Sequence, residues 1–163
     1  MSESLTLTFT VDRTPEEAFT AINDVRAWWS GPPAPTQPHI EGRTDRLGEE
    51  FTYLVDGVHY TKFRITELVP SSRVAWLTLD SELTFIADRQ EWTGTTVTFD
   101  VTEQDGRTQV VFTHVGLVPE HECYDVCDGA WSSYVLGNLR RFIETGSILP
   151  APSGYPTATD ALA

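Results

Sequence analysis

The sequence predicts an α+β domain: a curved antiparallel sheet of about seven strands wrapped around a long C-terminal helix, with two short helices after the first strand. Three observations predict it. Short segments of alternating apolar and polar residues, joined by tight turns, fill the middle of the chain. One long segment near the C-terminus carries its apolar residues in steps of three and four. A capped helix start lies between the first strand and a proline-rich stretch. A sheet with one apolar face has to be covered. Only the C-terminal helix is large enough to do so, and the sheet should curl around it and leave space between them.

In "LTLTFTV", residues 5–11, Leu5, Leu7, Phe9 and Val11 share one face, the mark of a half-buried strand. Thr14, Pro15 and Glu17 then form a helix start: N-cap, first-turn proline and capping box. The helix carries Ala18, Phe19 and Ile22, breaks near Asn23 and Asp24, and resumes briefly to Trp29. "SGPPAPTQPHIEGRTDRLGEE" reads as a long irregular segment. Strands follow at "EFTYLV", "VHYTKFRITELV", "RVAWLTL", "ELTFIA", "EWTGTTVTFDVTE" and "TQVVFTHV". Asp56-Gly57 and "QDGR" supply hairpin turns. The final helix is expected from Pro119 to Glu144, with Gly146 ending it. Residues 1–146 form the expected domain. The proline-rich tail 147–163 has no periodicity and is expected to be disordered.

The 163 residues suit one domain, and the net charge of −13 disfavours nucleic acid and anionic membranes as partners. No apolar run reaches the ~20 residues that span a bilayer. The N-terminus lacks the pattern of a secretory signal, so the expected location is cytoplasmic. No phosphate loop, G-x-S-x-G elbow or H-E-x-x-H motif is present. Cys123 and Cys127 share a helical face and read as two buried, reduced thiols; no metal and no cofactor are expected.

The segments "TPEEAFTAINDVRAWW", "GEEFTY", "ITELVPSSRVAW", "EWTGTTVTFDV" and "FTHVGLVPEHECYDVCDGAWSSYV" together resemble the helix-grip fold of the START-like (SRPBCC) superfamily. More closely, they are similar to bacterial homologues of the activator of the heat-shock protein 90 ATPase. The resemblance covers roughly residues 4–146. It implies a hydrophobic cavity beneath the C-terminal helix but not one chemistry.

The expected function is binding of a small hydrophobic or aromatic molecule in that cavity. Trp131 and Tyr134 face inward from the helix, with Cys127 one turn earlier. Phe63, Trp76, Phe112 and His114 face them from the strands, Thr93 and Thr95 lie nearer the mouth, and Trp29 helps close it. A bulky aromatic opposite small threonines predicts a void there. Two alternatives stay open. One is a cyclase- or dehydratase-type enzyme on a polyketide-like substrate, with His114 paired to Glu91 or Glu67 as proton-transfer groups. The other is a chaperone-interaction module. A homodimer is also left open.

Overall fold

The computed structural model describes residues 4–30 and 37–148. Strand β1 (Leu5–Val11) leads into helices α1 (Pro15–Asn23) and α2 (Val25–Trp28). Six strands follow: β2 (His39–Gly42), β3 (Glu50–Val55), β4 (His59–Val69), β5 (Arg73–Leu83), β6 (Thr96–Gln104) and β7 (Arg107–Val115). The C-terminal helix consists of α3 (Tyr124–Trp131), a π-helical segment (Ser132–Leu139) and α4 (Arg140–Thr145). Right-handed helical backbone at Ser132 and Arg140 joins the three parts without a break.

The seven strands form one sheet in the order β1-β7-β6-β5-β4-β3-β2. Every neighbouring pair is antiparallel. The expected architecture is therefore present: seven antiparallel strands, two short helices after the first, and a long C-terminal helix. Local signals explain much of it. Thr14 Oγ1 accepts the Glu17 amide at 3.1 Å, and Glu17 returns the bond to the Thr14 amide at 3.0 Å, a closed capping box. Asp105 and Gly106 both take positive φ, as a two-residue turn between right-twisted strands requires. Gly146 ends α4 with φ 80°, donating its amide to Phe142.

Four expectations are corrected. Residues 39–42, placed in the irregular segment, form edge strand β2 and pair with β3. "ELTFIA" is not a separate strand: Glu82 and Leu83 end β5, and the chain then turns. Residues 91–94 are turns, and β6 begins only at Thr96, because Gly94 takes φ 89° and redirects the backbone. The helix also starts at Tyr124 rather than Pro119.

The apolar faces of the sheet, α1, α2 and the C-terminal helix close one core. Trp28, Trp76, Phe63, Phe99 and Phe112 are fully buried within it. Gly146 ends the helix as expected, but Ile148 beyond it still packs against the core. Residues 149–163, most of the expected tail, lie outside the described residues.

Candidate functional site

Aromatic rings fill the space between the sheet and the C-terminal helix. The Trp29 ring stacks on Tyr53 at 3.8 Å and lies 4.8 Å from Trp131. Trp92 stacks on Trp131 at 5.7 Å with only 10° between the planes. Phe112 approaches Trp131 to 4.7 Å, and Phe63 lies 5.4 Å from Trp76. The void expected opposite Trp131 is thus taken up by the Trp29 and Trp92 indoles. Trp92 was missed because a straight strand would point it away from Thr95. The turn at Gly94 brings both inside.

Trp29 is held there by Asn138. This buried amide donates to the carbonyls of Trp28 at 3.1 Å and Ser30 at 2.9 Å, on either side of Trp29. Asn138 lies in the π-helical segment, whose wider turn buries Tyr134, Val135, Asn138 and Leu139 together.

A stripe of neutral polar groups crosses the inner face of the sheet. Tyr53 pairs with Thr61 across β3 and β4, and Thr61 with Ser81 across β4 and β5. Thr78, Thr95 and His114 continue it; Thr61, Ser81 and these three are all buried. His59 Nε2 bonds Thr61 Oγ1, and Ser81 Oγ meets Thr93 Oγ1 at 2.9 Å. The Tyr53 and Tyr134 hydroxyls approach to 3.5 Å. Burial, reinforced by Tyr134, raises the Tyr53 pKa and keeps the phenol protonated.

His114 sits at the centre of a hydrogen-bonded chain. The Trp131 indole N–H donates to its Nδ1 at 3.1 Å. Indole only donates, so Nδ1 carries the lone pair and Nε2 the proton of the neutral ring. Nε2 donates to Thr95 Oγ1 at 2.8 Å, and Thr95 donates onward to the Trp92 carbonyl. Burial, with smaller effects from His59 and His121, lowers the His114 pKa to about 3. Burial also lowers that of His59.

The two acids considered as partners of His114 are engaged elsewhere. Glu91 accepts the amides of Cys123 at 2.9 Å and Glu122 at 3.1 Å, capping the start of the C-terminal helix. Glu122 reciprocates by accepting the amides of Asp88 at 3.0 Å and Ala87 at 3.2 Å. Two carboxylates therefore latch the β5–β6 loop onto the helix start. Glu67 is exposed, because a register shift after Ile65 turns β4 over, and it pairs with Arg73 at 2.9 Å. With both ring nitrogens of His114 bonded to protein groups, no lone pair is left to take a proton from a substrate. Thr93, expected to line the interior, is exposed, although its hydroxyl reaches Ser81.

The cysteine reading is corrected. Cys123 and Cys127 are paired as a disulfide, with Cα atoms 5.5 Å apart, inside the range that a bridge spans. Cys123 lies just before the first helical residue rather than within the helix as expected. Among the described residues no group of His, Cys, Asp and Glu could hold a metal ion. No helix among them is long and apolar enough to cross a membrane.

The family model described as "Activator of Hsp90 ATPase homolog 1-like protein" matches residues 17–144, most of the chain. The chain belongs to that family. Solved structures agree on the fold. The Aha1 dimer from Colwellia psychrerythraea is similar at TM-score 0.67 and 20% identity, covering 88% of this chain and 98% of that one. CalU16 from Micromonospora echinospora is similar at TM-score 0.61 and 16% identity, covering 93% and 78%. Protein Ms6760 from Mycobacterium smegmatis is similar at TM-score 0.63 and 16% identity, covering 93% of each. No curated protein matches the sequence. Within this activator-homologue family the START-like helix-grip fold is shown. At such identities the likeness to solved structures shows the fold alone.

Proposed function

We propose that this domain binds a small aromatic or hydrophobic molecule between the sheet and the C-terminal helix. The observation that carries the reading is the polar stripe inside the aromatic interior. A core closed for stability alone is most easily built from apolar side chains, since every buried polar group needs a partner. Here Thr61, Thr78, Ser81, Thr95 and His114 are gathered on one inner face instead. A mainly apolar interior with a few convergent polar groups is the usual form of a ligand site. The β5–β6 loop offers the way in. Its latch to the helix start, through Glu91 and Glu122, is made at the surface. To enter, the ligand has to displace the Trp29 indole, which now stacks on Tyr53 and lies against Trp131, and it takes that place between Tyr53 and Trp131. The test is native mass spectrometry of protein purified from its own host, followed by titration of the emptied protein with naphthalene-sized probes. A retained small molecule, or saturable one-to-one binding, supports the reading. Neither being seen overturns it.

Family membership favours a second reading, contact with an Hsp90-type chaperone. The Aha1 structure from Colwellia psychrerythraea is a dimer, and self-association belongs with this reading. It requires that the purified protein change the ATPase rate of such a chaperone. An unchanged rate at saturating protein removes it.

A further inference from the structure

Resting on the ligand-binding reading, we infer that the ligand is an uncharged aromatic carrying a conjugated carbonyl, and that the Trp92 indole N–H recognises that carbonyl. Five tryptophans are present in the chain. The Trp28 indole donates to the Ile22 carbonyl at 3.0 Å, and that of Trp131 to His114. Those of Trp76 and Trp92 are buried with no acceptor among the described residues. Trp76 is 0% exposed and Trp92 2% exposed. Buried polar groups in folded proteins almost always find a partner, so two orphaned donors in one aromatic interior call for an explanation.

The chemistry of the missing partner follows from the donors and their surroundings. An indole N–H can only donate, so the partner must be an acceptor. The acceptors of the His114 chain are already committed. The His114 lone pair takes the Trp131 proton, and Thr95 Oγ1 takes that of His114. The partner must also be uncharged. Among the described residues no Lys or Arg is buried, and burial keeps His59 and His114 neutral. A carboxylate or phosphate would enter without a counter-charge, which low-dielectric surroundings penalise heavily. The rest of the ligand must be flat. Trp92 lies parallel to Trp131, with the His59 and His114 rings edge-on to it at 4.8 and 4.6 Å. Such walls favour an aromatic plane. Aryl ketones, aromatic lactones and comparable neutral carbonyl compounds satisfy all three conditions. Plain hydrocarbons and anions do not.

Two probes of equal shape separate these terms: 2-acetylnaphthalene and 2-ethylnaphthalene. The ketone is expected to bind wild-type protein about three- to tenfold tighter, the range of one net hydrogen bond. Its carbonyl stretch is expected to fall on binding, relative to its value in an apolar solvent. Trp92→Phe should bring the ketone to the affinity of the hydrocarbon in the same variant and return the stretch, whatever it does to the affinity that the two probes share. Equal affinities with an unshifted stretch in the wild type overturn this inference and leave the binding reading standing; that result needs no variant to fold. Equal weakening of both probes by Trp92→Phe also overturns it, because Trp92 would then only pack. Binding of neither probe removes the binding reading, and this inference with it.

Discussion

The Trp131 indole donates to Nδ1 of His114 at 3.1 Å, and that one contact fixes the tautomer of the only histidine that the sequence offers as a catalytic group. It joins the C-terminal helix to β7. It leaves the imidazole with its donor aimed at Thr95 and no free lone pair. His114 becomes part of the wall of the interior rather than a base acting within it.

The first consequence is a pH dependence of stability. In the folded protein the His114 pKa lies at about 3, below the ordinary 6.5. Between those values the unfolded chain binds a proton that the folded one does not. The contribution is therefore fully present above pH 6.5 and is lost as pH falls towards 3. Each pH unit inside that window removes about 1.4 kcal/mol. From pH 7.5 to 5.0 this one group should account for about 2 kcal/mol in urea denaturation. His114→Gln keeps an acceptor for Trp131 and a donor for Thr95 but does not titrate, so it should lack that share. The same pH dependence in both proteins would assign the loss to other groups.

Glu91 should act as a helix cap. Glu91→Ala is expected to cost about 0.5–2 kcal/mol, the usual range for losing a cap. The amides of Glu122 and Cys123 should be protected from hydrogen exchange in the wild type and should exchange rapidly in the variant. Unchanged exchange at both amides would refute the latch.

Asn138→Ala removes both bonds that hold the backbone around Trp29. Leaving buried carbonyls unsatisfied costs about 1–3 kcal/mol. Thermal unfolding should show that loss, and Trp29 fluorescence should move to longer wavelength. A variant as stable as the wild type, with unchanged emission, would show that Trp29 is held by ring packing alone.

Truncation tests where the domain ends. A chain ending at Ile148 should melt with the full-length protein. One ending at Gly146 loses the Ile148 contact with the core and should fall by about 1 kcal/mol. Coincident melts of all three would return the boundary to Gly146.

Much of the fold was legible because local rules and tertiary structure agree in it. The Thr14 capping box, the Asp105-Gly106 turn and the Leu5 to Val11 alternation each carry their own geometry. The errors lie where one residue redirects the chain. Gly94 ends the strand that Trp92 was assigned to, and the shift after Ile65 sends Glu67 outward. The role of Glu91 depends on a helix start 31 residues later, which no local pattern announces. Of the candidate site, the meeting of His114, Thr95 and Trp131 followed from strand parity and helical spacing. Tyr53 and Thr61 were missed, although they share the parity of Phe51 and Phe63 on the same strands. Asn138 was invisible, because the π-helical turn alters the period that the sequence was read with.

The central claim is that the interior accepts an aromatic molecule, and the indole N–H resonances in a two-dimensional ¹⁵N–¹H spectrum test it most directly. During titration with 2-acetylnaphthalene, the Trp29, Trp92 and Trp131 resonances should shift together and saturate at one equivalent. The Trp28 resonance, bonded to the Ile22 carbonyl, should move least. If no indole resonance moves up to the solubility limit of the probe, the space between sheet and helix is a solid core and the account is contradicted.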